Sequence, residues 1–493
     1  MKSCIITYDE LENTGNVAGF LQDAIQRHWQ SEMYRVARSA DKYFKQRNET
    51  IASFTARLFD VDGGEFVNET ASKLKMANNF FRRLNVQRCM YSLGKGVSFV
   101  NVDEDGTDTT KAKLGATFDD DVKKIGMLAL IHGVAFPFWN FDHINVFDAT
   151  EFAPIWDETT GALRAGIRFW RLDRYHNWHA VLYTEDGYCS FVASTDGGLD
   201  FVQSEQGLKP YKITYQETPA DGLKMAVDEQ NYSRLPIVPI WGNDNHQSTL
   251  IGLRESLDAY DLIKSGLAND VQDCAQIYWL VENAGGMNDA DLQEFRDRLK
   301  LTHIANVDNA DEVSITPYTQ EPPTGARTAT LAQIKADMYE DFGALDVHTI
   351  AAGATNDHID AAYQPMDEEA DEFERHIREG IIDLLALQGI EDTPVFTRNR
   401  VSNQKEQVEI VLAEAQYLDD ETILRKLPNI TPDEVREILK RKDAEAADIM
   451  NAPVYVEQSI AGDDKTDAGE KQGENTEDNE GAENATEGAQ GAV

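Results

Sequence analysis

In the stretch LRESLDAYDLIKSGLANDVQD, residues 253 to 273, apolar side chains fall at 253, 257, 260, 263, 267 and 271. Steps of three and four predict a helix with one apolar face. The opposite face carries Asp258, Asp261, Asn269, Asp270 and Asp273. At about 1.5 Å per residue, a helix of some 22 residues is a rod of roughly 33 Å. The same period returns in ARTATLAQIKADMYEDFG, through Leu331, Ile334, Met338, Phe342 and Leu345. Between the two lies a compact insertion. MNDADLQEFRDRLKL opens with Asn288 as a helix cap and sets Leu292, Phe295 and Leu299 on one side. THIANV and EVSITPY flank the turn DNAD as an expected hairpin. The expected order is helix, small α/β unit, helix.

Elsewhere the period changes with position. VAGFLQDAIQRHWQSEMYRVARSADKYFKQ reads as one amphipathic unit, and KLKMANNFFRRLNVQRCMYSLG as a second. From 97 to 245 the chain turns to β-branched and aromatic runs such as ALRAGIRFWRL and WHAVLYTEDGYCSFVAS, parted by turn residues. SRLPIVPIWGNDN (233–245) is an extended, proline-punctuated link into the helix at 253. Small and polar residues interrupt the helical pattern at 346–362, and Pro365 marks a kink or a start. A long helix follows, with Met366, Ala370, Phe373, Ile377, Ile381 and Leu384 on one side. TPVFTRNRVSN reads as a short strand and turn, and the last folded part is helical. Thr431, Pro432 and Glu434 there form a cap, a proline at the first helical position and a capping box. From 461 onward ten acids stand against two lysines with almost no large apolar residue, the composition of a disordered tail. The fold class is α+β.

A length of 493 residues predicts two to four structural units, and 41% hydrophobic content is enough for a folded chain. The formal net charge of −41 argues against a nucleic-acid binder that works through clustered Lys and Arg. Cys4, Cys89, Cys189 and Cys274 lie far apart without a CxxC pair, as free thiols of a reducing compartment do. MKSCIITYDELENTG lacks a signal-peptide core, and IGMLALIHGVAFPFWNF (125–141), broken by Gly133 and Pro137, predicts a buried helix running into a buried strand. LGKGVSF lacks the spacing of a phosphate loop, and neither HExxH nor GxSxG occurs. His176 and His179 read as surface histidines, and Arg82, Arg83 and Arg88 as partners in internal ion pairs. No catalytic residue, metal ligand or cofactor is expected, so the chain is read as an assembly component and not an enzyme.

RLPIVPIWGNDNHQSTLIGLRESLDAYDLIKSGLANDVQD resembles the signature stretch of the portal proteins of tailed double-stranded DNA bacteriophages. There a proline-rich link precedes a helix of the type LIDAYDxxxSxxAND; here Ser256, Leu257, Asp258, Ala259, Tyr260 and Asp261 are followed by Ser265, Ala268, Asn269 and Asp270. KMANNFFRRLNVQRCMYSLGKGVSF and FTRNRVSNQKEQVEIVLAEAQYLDDETILRKLPNITPDEVREILKR are similar to the family's early helix and late segment, so the resemblance spans roughly 20 to 445. It implies a ring, expected to be a dodecamer, at one capsid vertex of the virion, assembled in the bacterial host cytoplasm. DNA would be packaged through it and later ejected. It further implies a wing (1–250 and 363–400), stem helices (251–275 and 324–345), a clip (276–323), a tunnel loop (346–362), a crown (401–456) and a disordered acidic tail (457–493). Implied partners are further copies of the chain, the terminase large subunit, the head-tail adaptor, the major capsid and scaffolding proteins, and double-stranded DNA in transit; no membrane is implied. Asp289, Asp291, Glu294, Asp308, Asp311 and Glu312 would meet terminase and adaptor from the clip. His348, Thr349, Thr355, Asn356, Asp357 and His358 would lie at the tunnel loop, where AAGATNDHIDAAYQ stands in place of the family's Ser-Gly-hydrophobic-Ala-Leu run. The stem face of Asp258, Asp261, Asp270 and Asp273 would line a channel whose cargo carries one charge per about 1.7 Å, or form a solvated outer face. Two other readings use the same residues: a neck or tail scaffold without stem and clip, and a metal-dependent hydrolase at His176 or His179.

Overall fold

The computed structural model describes residues 3–55, 57–59, 65–67, 73–101, 108–140, 143–194, 198–204, 207–217, 224–274, 278–282, 314–318, 324–346, 355–400, 404–415, 417–427, 435 and 438–442. Two units, 1–407 and 408–493, are taken one at a time.

In the first unit, strand β1 (Ile6–Thr7) and the short helix α1 (Tyr8–Glu12) precede a break within the expected single amphipathic unit. The Ser31 hydroxyl accepts the Tyr34 N–H at 3.2 Å and separates α2 (Val17–Gln30) from α3 (Glu32–Phe44). Next come α4 (Glu49–Ser53) and the paired strands β2 (Arg57–Phe59) and β3 (Glu65–Val67). Residues 73–79, expected as helix, are not helical; α5 begins only at Phe80 and ends at Leu93. β4 (Val97–Phe99) and α6 (Thr109–Leu114) lead to α7 (Phe118–His132). Gly133, at φ +87°, turns α7 directly into β5 (Val134–Asn140), the expected buried helix and buried strand. Among the described residues, no helix is long and apolar enough to cross a membrane.

β6 (His143–Asp148) pairs with β5, and the chain then builds a sheet from β7 (Phe152–Trp156), β8 (Leu163–Trp170), β9 (His179–Thr184), β10 (Gly187–Ala193) and β11 (Phe201–Gln203). Its order is β1-β7-β8-β9-β10-β11, antiparallel except for the parallel β1–β7 pair. Strand alternation divides its two faces. Along β9, Ala180 and Leu182 join Phe20, Leu21, Ala24 and Ile25 of α2 in one core. Val181 and Tyr183 join Phe136, Phe138 and Phe147 of β5 and β6 in another. Because both faces are covered, these strands read as apolar runs and not as strict alternation.

The hairpin β12 (Lys212–Glu217) and β13 (Lys224–Gln230) follows, and β14 (Ile240–Trp241) adds the link onto β5. Helix α8 (Arg254–Cys274) leads to β15 (Tyr278–Glu282), which pairs antiparallel with β16 (Ser314–Tyr318) before α9 (Thr324–Asp341). EVSITPY is thus a strand whose described partner is β15; THIANV and MNDADLQEFRDRLKL lie outside the described residues. Helix α10 (Asn356–Ala386) takes in the second half of the expected interruption and carries Pro365 in its interior. It packs on α5 and α7, where a Cβ on Gly126 would stand 2.6 Å from Leu93 and 2.9 Å from Phe373. β17 (Pro394–Phe396) pairs with β4, closing the unit.

Helix α11 (Gln404–Glu414) passes into the second unit, where α12 (Asp420–Lys426) starts at an Asp419 cap that accepts the Thr422 N–H at 3.2 Å. Val411 and Val435 are buried there. The Thr431–Pro432–Glu434 start and the acidic tail lie outside the described residues.

Candidate functional site

The signature helix α8 turns its polar stripe against the chain, with Asp261 and Ser265 buried and Asn269 half-buried. Asp261 Oδ1 accepts the Asn78 N–H at 2.7 Å, Ser265 Oγ accepts the Met76 N–H at 2.9 Å, and Asn269 Oδ1 accepts the Leu74 N–H at 2.9 Å. Residues 73–79 therefore form a strap along the helix. Four helical residues advance about 6 Å and two extended residues about 6.6 Å, so alternate strap amides meet every fourth helix residue over three rungs. Asn side chains reinforce both ends: Asn269 Nδ2 donates to Leu74 O at 3.3 Å, and Asn78 Nδ2 to Asp261 Oδ1 at 2.8 Å and Leu257 O at 3.1 Å. Asn48 Nδ2 donates to Asp261 Oδ2 at 2.5 Å.

Of the four residues of the expected acidic face, Asp261 is turned inside the chain and Asp258 is half-buried. Asp261 is 0% exposed, inside the chain rather than on a channel wall or in solvent. Burial raises its carboxyl above the ordinary carboxylate value, the Asn48 and Asn78 donors oppose that rise, and nearby Asp258 adds to it. Asp258 accepts the Tyr43 and Thr50 hydroxyls, each at 2.6 Å. Burial, with Asp258 beside it, pushes the Tyr43 phenol up to about 12. Asp270 pairs with Arg327 of α9. The Asp273 side chain lies outside the described residues.

The apolar stripe behaves in the opposite way. Leu253 and Leu257 are buried with Met338 and Tyr339 of α9 and Phe342 just beyond it, but Ile263 and Leu267 are only half-buried and Val271 is 50% exposed. Sequence reasoning missed the strap because its partners lie some 190 residues away. The legible signal was the set Asp261, Ser265 and Asn269, hydrogen-bonding residues at exact i+4 intervals.

Helix α5 holds the far end of α9. The Arg88 guanidinium donates to Phe342 O, lies 4.1 Å from that ring and pairs with Glu369 at 3.0 Å, while Gln87 Nε2 donates to Leu345 O at 2.9 Å. These donors serve carbonyls at and just beyond a helix end, which otherwise go without partners. Arg88 has the expected internal ion pair; Arg82 and Arg83 instead lie over the rings of Phe44 and Tyr339.

The start of α10 holds part of the expected tunnel loop. Thr355, Asp357 and His358 are exposed and Asn356 is half-buried; Thr355 Oγ1 and His358 Nδ1 are 2.9 Å apart. His348 and Thr349 lie outside the described residues, as do Asp289, Asp291, Glu294, Asp308, Asp311 and Glu312. Just inside the helix, two arginines bind it to the segment after β17. Arg398 pairs with Asp367 at 2.8 Å, Glu374 at 3.0 Å and Asp371; Arg400 pairs with Asp360 at 3.1 Å and Asp367. Tyr91 OH donates to Asp367 Oδ1 at 2.6 Å and accepts from Arg400 Nε at 2.9 Å.

His176 is exposed and pairs with Asp173 at 2.6 Å, whereas His179 stacks on Trp170 with centroids 5.4 Å apart. Among the described residues, Asp244, Glu372 and His376 bring ligand-type atoms within 4.8 Å of one another. Their bonds are internal: Arg375 and His376 both meet Asp244 Oδ1, and the Asp244 N–H donates to Glu372 Oε1 at 2.5 Å. With an arginine already on the carboxylate, the cluster reads as a tie between the link and α10.

The site thus consists of a helix pair flanking a strand pair, with one helix strapped along its polar stripe. The chain belongs to the phage portal protein family described as SPP1 Gp6-like, which it matches over residues 37–448. It is similar to the portal protein of Bacillus phage SPP1, 23% identical over 391 residues that cover 75% of each chain. It is also similar to the portal protein of Clostridium phage phiCD119, 27% identical over 221 residues, 43% of this chain and 49% of that one. A solved structure titled "Neck of empty GTA particle computed with C6 symmetry" aligns with 71% of this chain and 91% of its own at 11% identity and a TM-score of 0.41, too low to weigh. Family membership gives the chain its role: a portal channel at the capsid vertex of a phage head, a structural component of the virion.

Proposed function

We propose that the chain closes into a ring, twelve copies being the expected number, through which terminase drives double-stranded DNA and through which the DNA later leaves. The observation that carries this is the half-open apolar stripe of α8. Ile263, Leu267 and Val271 continue the helical spacing of Leu253 and Leu257 but lose their cover within the chain. Apolar area left at the surface on a rod-like helix suits a neighbouring copy. In this reading α8 and α9 are the stem, β15, β16 and the residues between them the clip, and the start of α10 the edge of the tunnel loop. The wing is 1–250 with 363–400, and the crown is 401–456. The acidic clip residues would face terminase and, later, the head-tail adaptor; capsid and scaffolding proteins would surround the wing. Of the acidic stem residues, Asp270 and Asp273 remain candidates for the channel wall. Negative-stain electron microscopy of the purified chain should show rings with a central hole wide enough for a duplex. Monomers at high salt and high concentration would overturn the proposal.

A further inference from the structure

The loop between β8 and β9, residues 171–178, is longer than the usual two to five residues of a hairpin connection. Its sequence is RLDRYHNW, and it is unlike the rest of this acidic chain. Leu172 is 81% and Tyr175 70% exposed. Arg171 lies 5.0 Å from the Trp178 ring and Arg174 4.7 Å from the Tyr175 ring. Its one acid, Asp173, is matched by His176. Exposed tyrosine and arginine are residue types of a contact hot spot, and with Leu172 beside them the loop makes a positive, apolar knob.

The other end of the same strand carries the complement. A groove there is floored by Ile5, Trp156, Leu163 and Trp241 and rimmed by Asp9, Glu10, Asp157 and Glu158. Ile5 is 63% exposed, and Trp156 and Trp241 stack with centroids 6.3 Å apart. Arg27 and Arg164 offset Glu10 and Asp157, which leaves the rim net acidic. Leu163 pairs with Trp156 at the start of β8, and Trp170 with His179 at its end. Knob and groove are therefore separated by the length of the strand, roughly 24 Å.

A patch that pairs with itself builds two-fold dimers; two unlike, complementary patches at opposite ends of one element build head-to-tail contacts, which close into a ring when the rotation from copy to copy completes a turn and run on as a filament when it does not. We propose that the 171–178 knob of one copy seats in the Ile5–Trp156–Leu163–Trp241 groove of the next, with Arg171 and Arg174 against the rim acids. This rests on the ring reading above and names a surface that builds the ring.

The test uses the full chain in three forms: Arg171→Glu/Arg174→Glu, Asp9→Arg/Glu158→Arg, and the four changes together. Ring populations are read by native mass spectrometry and light scattering, and folding by thermal melting. Each pair of changes should weaken each copy-to-copy contact by roughly tenfold or more, about 1.4 kcal/mol per contact, and deplete the rings with unchanged melting; the combination should restore them. Leu172→Ser/Tyr175→Ser should lose rings even at about 0.5 M salt, where charge is screened. Charge-reversed knobs that still form rings like the wild type, or a combination that fails to recover, would overturn the proposal. Rings that persist but no longer retain duplex DNA would overturn it in favour of a nucleic-acid contact. A wild type without rings would instead remove the ring reading itself.

Discussion

Asp261 carries three hydrogen bonds with no exposed surface, so its two carboxylate oxygens hold the strap, α4 and α8 together. Replacing it by alanine leaves buried donors of Asn48 and Asn78 unmet, which should cost about 2–4 kcal/mol. Asparagine should cost less than about 1 kcal/mol. Its Oδ1 keeps both Asn78 bonds, and Asn48 can turn its amide to offer Oδ1, which has no partner in the described structure. Denaturant unfolding of the two variants would show this order; equal losses would contradict it. The raised carboxyl also fixes a sign. An acid held above its unfolded value binds its proton more tightly when folded, so its contribution is greatest at low pH. That contribution declines as pH rises from the unfolded carboxylate range through the folded value. Relative to Asp261→Asn, the native chain should lose stability with rising pH in that window. Asp261 alone gave no sign of this, because an aspartate on a helix beside Tyr260 looks the same in solvent as under a strap; only its i+4 spacing with Ser265 and Asn269 carried a signal.

At the scale of elements, helical period was a good guide to the rods and a poor one to their surroundings. α7 with β5, the β9–β10 hairpin, α8, α9 and α10 fall where spacing and turn residues put them. Besides the break at Ser31, two boundaries moved. KLKMANN has helix-compatible residues, yet its amides are taken by α8, and a segment whose backbone is satisfied sideways does not coil. The polar run before Pro365 reads as a break, yet residues 356–362 extend α10, with Ile359, Tyr363 and Met366 supplying a buried stripe. The arginine pair that holds this stretch yields a prediction. Glu374 is buried, so Arg398→Met would leave its carboxylate uncompensated and should cost about 2–4 kcal/mol. Hydrogen exchange should then quicken across residues 367–374 of α10, where Arg398 is paired, and unchanged protection there would refute the clamp.

For the whole molecule, charge sets the terms of assembly. Each copy brings a formal −41, and packing copies around one axis multiplies the repulsion that ions must screen. Ring populations should rise from low ionic strength to about 0.3 M salt as the screening length shortens, and mass photometry across that series would detect it. A flat response would show that contacts such as the knob and groove already outweigh the repulsion. The family was legible because the signature stretch is long and ordered, and in this chain Asp261, Ser265 and Asn269 of that stretch form the i+4 ladder of α8. The two ends of β8 were not legible as partners, since nothing in one sequence says that a basic loop and an acidic groove will meet on different copies.

The ladder also has a mechanical meaning. Its three rungs lie side by side along the helix, so a pull parallel to the α8 axis loads all of them together. A pull that lifts the strap away from the Leu74 end loads one at a time. The same bonds are therefore stiff in shear and weak in peeling. A rod fastened this way can bear axial thrust and still be unzipped from one end.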